Sequence, residues 1–381
     1  MLRSGRPMTA LGIATKQLFE RLQDPNVDVD ADYVVAPTSI EEAAAILAAA
    51  AEAAIPVSFY GGGTHQQLGN PVAADLVITT TALNRIVDYE PDDLTIRVES
   101  GVTLGQLDAA LTERSLTAVL PETEPDATVG GVVATGRSAY QRLRYGPTRD
   151  RVLQVTAATG YGKVITGGSP VVKSSTGYGI PRLYTGSLGS LGLIGSVLLK
   201  LWSQPRAAAT VTVEDAEQSR RNVYRPLASL GTGGAGKVYL GGAPEEVDAQ
   251  SETLGGSHSE GLHWPEPTDR ALRLSFRVPA RLVDDAVSRA RNLDAPSWIA
   301  EYGVGTVEAG YQRISPDGFA MGRAWAESVG GALVVEAAPD ELRTELDAWG
   351  SPSQSIDLQR QVKARFDPAG ICNPGILPGG V

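Results

Sequence analysis

The first half of this chain, before Trp202, carries glycines in clusters. Gly61-Gly62-Gly63, Gly130-Gly131, Gly167-Gly168 and the run from Gly186 to Gly195 mark the first half. A residue without a Cβ lets successive backbone N–H groups turn toward one point, the nest geometry that holds phosphate oxygens. Glycine makes up 43 of 381 residues, about 11% against an average of about 7%. Gln204-Pro205-Arg206 and Ala207-Ala208-Ala209 look like a boundary, after which the texture changes. A length of 381 residues allows two domains, or three.

The elements around the first cluster are readable. Tyr33-Val34-Val35 is strand-like, and Ser39 with Glu42 has capping-box spacing at a helix start. Ile40, Ala43, Ala44, Leu47, Ala51 and Ala54 follow as one apolar stripe, and Pro56 ends it. Val57 to Tyr60 is a second strand that runs into the triple glycine, and Leu76 to Thr79 a third. This is a β-α-β unit with a glycine loop at its exit. The next segment changes character. Thr95 to Glu99 alternates as a half-buried strand does, Thr103 and Gln106 form another capping box before Leu104–Glu113, and Val152–Ala158 and Leu193–Trp202 are further strands. Strands with few helices between them predict an α+β subdomain and not a doubly wound sheet.

The triple glycine is followed by Thr64 and His65. It is neither GxGxxG nor GKS/GKT, so neither a Rossmann nor a P-loop reading fits. Alone it reads as a tight turn. Two more stretches add weight: Asp126 to Gly136, leading to Arg144-Tyr145-Gly146-Pro147-Thr148-Arg149-Asp150, and Lys173 to Gly179, leading to Thr185-Gly186-Ser187-Leu188-Gly189-Ser190-Leu191-Gly192-Leu193-Ile194-Gly195. Loops so spaced could wrap one long ligand with a pyrophosphate centre.

In this order the motifs resemble the FAD-binding domain of the p-cresol methylhydroxylase (PCMH) and vanillyl-alcohol oxidase superfamily, and within it the small FAD-binding subunits of bacterial glycolate oxidase. The tail Lys363 to Gly375 is similar to the family's K-x-x-F-D-P-x-x-x-x-N-P-G ending. The resemblance covers about residues 30–205 and 355–381. It implies an α+β fold: a two-subdomain PCMH-type FAD-binding domain over 30–205, a smaller α+β cap over 206–354, a tail over 355–381 that returns to the FAD domain, and an extension over 1–29. It implies that Gly61, Gly62, Gly63, Thr64 and His65 cradle the pyrophosphate of a non-covalent FAD. Thr128, Gly130, Gly131, Ala134 and Gly136 would line the dinucleotide on its other side, with Asp150 and Val152 near the flavin or adenosine. Gly186, Ser187, Gly192 and Ile194 would close the adenine side, and Asn373 would come from the tail. The implied reaction is hydride transfer from an α-hydroxy acid to flavin. The implied partners are a larger FAD subunit and an iron–sulfur subunit. Three positions depart from the pattern: Gly179 for an acidic residue, His65 for Lys or Ser, and Ile376 for Arg.

No catalytic residue is marked by a motif; Lys173 and Tyr178 are the candidates. Lys173 could hold a carboxylate or phosphate or be a surface lysine, and Tyr145 and Tyr178 could sit near the flavin or be buried aromatics. Some superfamily members attach FAD through a histidine directly after the glycines. Here Thr64 occupies that place, so His65 is expected to be a polar loop residue. His258 and His263 are five apart with Gly261 between them, a loop and not a metal pair, and no metal site is expected. Arg137, Arg142, Arg144 and Arg149 form a local basic cluster that could attract an anion, lie exposed or dock a partner.

Composition removes other classes. The 33 Lys+Arg against 44 Asp+Glu give a net charge of −11, unsuited to nucleic acid or anionic lipid. The one cysteine, Cys372, cannot hold an iron–sulfur cluster or a disulfide framework. No apolar run is long enough to span a membrane and the N-terminus has no signal-peptide core, so a cytoplasmic location is expected, with any membrane association made through partners. An alternative reading is a self-sufficient oxidase or dehydrogenase of another small hydroxylated compound, or a flavin-bearing structural subunit. In 206–354, strands are expected at Thr210–Val213, Lys237–Leu240, Leu272–Val278, Ile299–Tyr302 and Leu333–Glu336. Helices are expected at Leu282–Leu293 and Glu341–Trp349, the latter capped by Asp340, and loops at Leu230–Gly236 and Glu252–His263.

Overall fold

The computed structural model of the chain describes residues 17, 19–24, 27, 29, 31–121, 123–170 and 179–381. Among these, the expected β-α-β unit forms. β1 (Tyr33–Val35), β2 (Val57–Tyr60) and β3 (Leu76–Thr79) make a parallel sheet in the order β1-β3-β2, with α1 (Ile40–Ala53) as the crossover. The α1 stripe buries Ala43, Ile46, Leu47 and Ala50 against Val35, Val57 and Ile78. Phe19 and Leu22 join this core and Gln23 bridges Val35, so part of the 1–29 segment packs into the domain. At Ser39 half of the capping box forms. Ser39 accepts from the Glu42 N–H, but the Glu42 carboxylate turns to the Thr38 N–H and hydroxyl instead.

The second subdomain is an antiparallel sheet. β4 (Ile86–Glu90), β5 (Thr95–Glu99), β6 (Val152–Thr159), β7 (Val164–Gly168) and β8 (Gly192–Lys200) lie in the order β4-β5-β8-β6-β7. Its apolar face, with Ile96, Val98, Val155 and Val197 fully buried, packs on α2 (Leu104–Thr112) and α3 (Val129–Thr135). Thr103 and Gln106 complete the capping box of α2. The short α4 (Arg142–Tyr145) and α5 (Ile180–Tyr184) follow.

The cap is one antiparallel sheet of eight described strands. They are β9 (Ala207–Val213), β10 (Ala228–Thr232), β11 (Gly236–Gly242), β12 (Ser257–Glu260), β13 (Leu272–Arg277), β14 (Ser297–Glu301), β15 (Thr306–Tyr311) and β16 (Ala332–Ala337). Their order is β12-β9-β11-β10-β14-β15-β13-β16. Period-2 alternation gives this sheet two different faces. One, with Leu274, Phe276, Ala300, Val307, Ala309 and Val335, is buried under α8 (Val283–Asn292) and α9 (Pro316–Ser328), with α6 (Ala216–Arg221) and α7 (Pro244–Leu254) covering the other end. The other face looks toward the first domain.

Three expectations for the cap need correction. Leu230–Gly236 and Glu252–His263 are not plain loops: they contain the end of β10, the end of α7 and β12. All four β12 residues are exposed and polar, because an edge strand pairs on one side only and needs no apolar alternation. The expected helix over Glu341–Trp349 stops early, as α10 (Asp340–Arg343), with Asp340 in its first turn after Pro339. Beyond it, the Ala348 carbonyl accepts from the Val335 N–H and its own N–H donates to Asn70 Oδ1, partners a continuing helix could not reach. Leu342, Leu346 and Trp349 still pack on the cap core. α11 (Ile356–Phe366) then leads back to the first domain, where Ile371 and Cys372 are buried and the Asn373 N–H pairs with the Val57 carbonyl. No described helix is long and apolar enough to cross a membrane.

Candidate active site

A long cleft runs through the first domain where the glycine loops meet. Gly61, Gly62, Gly63, Thr64 and His65 form one wall; Thr128, Gly130, Gly131 and Ala134 form a second; Gly192, Ile194 and Asn373 complete it. Two of the glycines are demanded by close approach. A Cβ on Gly62 would lie 2.2 Å from the Asp126 carbonyl oxygen, and one on Gly130 would lie 2.5 Å from Ser100 Cβ. The loop after β2 is thus pressed directly onto the start of α3. Thr128 caps α3 by accepting from the Gly131 N–H, and Gly136 ends it at φ 69°.

Other expected residues lie elsewhere. Gly136 lines the neighbouring cavity described below. Gly186 lies against Gly136, and Ser187 is buried; neither lines the cleft. Asp150 ends a short 3-10 turn and pairs with Arg182, and Val152 is buried in the sheet core, so neither faces the cleft. Tyr145 packs edge-on against Trp202. Lys173 and Tyr178 fall outside the described residues. His65 has both ring nitrogens engaged, Nδ1 with Thr64 Oγ1 at 2.9 Å and Nε2 with Glu124 Oε2 at 2.9 Å. His258 is exposed on β12, and His263 Nε2 meets the Glu260 carbonyl. The described residues hold no group of three or more potential metal ligands.

Beside the cleft, and sharing Leu68 and Thr135 with it, lies a cavity of about 340 Å³ roofed by the inner face of the cap sheet. Its lining is highly charged. Arg137, just beyond the α3 C-cap, reaches Glu124 at 3.2 Å and Glu336 at 3.2 Å. Glu336 also takes Arg277 at 2.9 Å, and Arg142 forks onto Glu301 and Thr306. Arg144 donates to the Gly241 carbonyl. The basic cluster in the sequence is therefore mostly a set of struts between the domains, with Arg149 left exposed.

Burial disfavours the ionised form of Glu336, yet Arg277 and Arg137 outweigh it and hold the carboxyl below the usual carboxylate range. Glu124 behaves alike, with burial overcome by the His65 hydrogen bond and the Arg137 charge. Glu301 moves the other way, pushed up by its complete burial against the pull of Arg142. Burial, with Glu308 and Glu301 near, pushes the Tyr140 phenol well up. None of these acidic residues carries a motif. The available signal is a lone carboxylate in an apolar strand, as in Val307-Glu308-Ala309 and Val335-Glu336-Ala337.

Residues 31–168 match the family model described as an FAD binding domain. That stretch is an FAD-binding domain of the PCMH type. The chain is 29% identical to glycolate oxidase subunit GlcE of Escherichia coli, over 84% of this chain and 92% of that one. It is 27% identical to a D-lactate dehydrogenase of Archaeoglobus fulgidus, over 90% of both. In structure it is similar to alkyldihydroxyacetonephosphate synthase, with a TM-score of 0.63, 17% identity and coverage of 92% of this chain and 78% of that one. The chain is an FAD-dependent oxidoreductase similar to these dehydrogenase and oxidase relatives. The residues of the FAD cleft suit that cofactor. Thr80 Oγ1, Ser100 Oγ and Asn373 Oδ1 line it as buried polar atoms with no partner, and Gly131 opens a space that a Cβ would narrow. A dinucleotide rich in donors and acceptors satisfies such atoms, which are otherwise costly to bury.

Proposed function

We propose that this chain oxidises the CH–OH group of a small compound bound in the cavity beneath the cap sheet. The observation that carries the reading is adjacency: Leu68 and Thr135 line both the FAD cleft and the cavity, so the two spaces adjoin. FAD, when bound, supplies the hydride acceptor. The glycine loops hold it, with Gly61, Gly62, Gly63, Thr64, Thr128, Gly130, Gly131, Ala134, Gly192, Ile194 and Asn373 as its binding residues. The cap sheet covers the cavity and presents polar side chains to the substrate.

Relatives named for glycolate and D-lactate support a 2-hydroxy acid as substrate. In that reading Lys173, as a cation for the carboxylate, and Tyr178 remain the catalytic candidates from the sequence. Electrons then leave for an iron–sulfur subunit beside a larger flavin subunit, because the single cysteine cannot ligate a cluster. A cytoplasmic complex, peripheral to the membrane, fits this arrangement. One observation favours a second reading, an uncharged hydroxylated substrate turned over by this chain alone. Arg137, Arg142 and Arg277 are each already paired with a glutamate, so among the described residues lining the cavity no arginine is free for an anion.

The test is anaerobic titration of the purified, FAD-loaded chain with D-lactate, glycolate, glycerol and sorbitol, read by bleaching of the flavin band. Bleaching by the hydroxy acids supports the first reading; bleaching by the polyols alone supports the second. A flavin that no compound bleaches until partner subunits are added would move the catalytic centre off this chain and sink the proposal.

A further inference from the structure

Four glutamates line the cavity, and three are committed. Glu124 is held by His65 and Arg137, Glu336 by Arg277 and Arg137, and Glu301 by Arg142. Glu308 differs. Its nearest cation is Arg137 at 4.0 Å, beyond hydrogen-bond distance, and no hydrogen bond ties its carboxylate to the described residues. Its side chain keeps 30% of its exposure. That exposure is toward the cavity, because its strand neighbours Val307 and Ala309 are fully buried on the opposite face.

Ser275 supplies the second, independent observation. It lies directly across from Glu308 in the β13–β15 register and also lines the cavity. The residue is 1% exposed, and its Oγ has no hydrogen-bond partner. Opposed residues on one sheet face have Cβ atoms about 4.5–5.5 Å apart, so one ligand hydroxyl can reach both side chains. A buried hydroxyl without a partner is costly, and a ligand group at this point removes the cost.

We infer that Glu308 accepts the proton of the substrate hydroxyl, with Ser275 Oγ orienting that hydroxyl. The assignment rests on the oxidation proposed above. The O–H bond breaks with its proton passing to the Glu308 carboxylate. FAD, when bound, would supply the two-electron oxidant: the hydrogen on that carbon would leave with the C–H electron pair as hydride, and the carbon–oxygen single bond would become a carbonyl. The other cavity groups are poorer acceptors. Tyr140 holds its own proton too tightly, and the paired glutamates would have to give up an arginine.

The experiment uses the full, FAD-loaded chain, its Glu308→Gln, Glu308→Ala and Ser275→Ala forms, and the compound among D-lactate, glycolate, glycerol and sorbitol that bleaches the parent flavin. Two readouts are taken: ligand binding by calorimetry, and the rate of flavin reduction. Loss of a general base costs about 10²–10⁴-fold, so Glu308→Gln should bind FAD and the compound yet reduce its flavin at least about 10²-fold more slowly. Formate, a small carboxylate, should restore part of the rate to Glu308→Ala but not to Glu308→Gln. Ser275→Ala should weaken binding several-fold, at most about tenfold. An undiminished reduction rate in Glu308→Gln would overturn this assignment and leave the oxidation reading intact. A parent flavin that none of the compounds bleaches would remove both.

Discussion

Gly62 has no room for a side chain, since a Cβ there would meet the Asp126 carbonyl oxygen at 2.2 Å. Gly62→Ala must push the loop off α3 and spoil the FAD cleft. Overpacking of this kind costs about 1–3 kcal/mol. The expected outcome is a folded, less stable chain purified without a flavin band. His65 carries a different prediction. With both ring nitrogens engaged by Thr64 and Glu124, it offers no free nitrogen to be alkylated by the flavin. FAD should therefore leave with the supernatant after acid precipitation; colour in the pellet would contradict this. Glu336 and Glu124 set an acid limit. Their carboxyls titrate below 4.5 when folded, so the unfolded chain takes up their protons first as the pH falls. Their stabilisation is complete above about pH 4.5 and is lost as the pH falls through their folded values. Glu301, pushed up, has the opposite sign and withdraws stability as the pH rises through its own folded value. Melting curves between pH 3 and 6, on the order of one midpoint per half unit, should show a shallower acid decline for Glu336→Gln than for the parent.

At the scale of elements, the segment from Arg137 to Arg144, between α3 and the next turn, ties the two domains together. Arg142 carries the sharpest test because its partner Glu301 is almost completely buried. Removing one member of a buried pair strands the other charge and costs about 3–5 kcal/mol, whereas replacing both by apolar residues is often neutral. Arg142→Leu should lower the denaturation midpoint sharply, and Arg142→Leu with Glu301→Leu should recover most of the loss. Equal losses in the single and double variants would show that the pair does not act as a unit. The same segment shows the limit of pattern reading. A row of arginines announces positive charge, but nothing in the row tells that its partners lie about 160–200 positions later, on strands of another domain.

For the whole molecule, the FAD cleft is built from distant stretches, with the loop after β2, α3, the start of β8 and the C-terminal tail all contributing. A ligand bound only by the folded state stabilises it by about 2.7 kcal/mol at 100 times its Kd. Added FAD should raise the melting temperature of the flavin-free chain, and much less that of Asn373→Ala, which loses a contact from the tail. The glycine loops, the capping residues and the alternating strands were legible in the linear chain because each depends on neighbours a few residues away. A missing Cβ, a side chain reaching its own helix start, and period-2 burial are local physics, and they were enough to suggest the cofactor and the α+β architecture. The cavity was not legible. Ser275 and Glu308 become neighbours only through antiparallel pairing, and Glu308 stands out only because Glu124, Glu301 and Glu336 have arginines within hydrogen-bond distance while its own nearest, Arg137, stays at 4.0 Å. Which carboxylate stays uncommitted depends on distances between domains, and those exist only once the chain has folded.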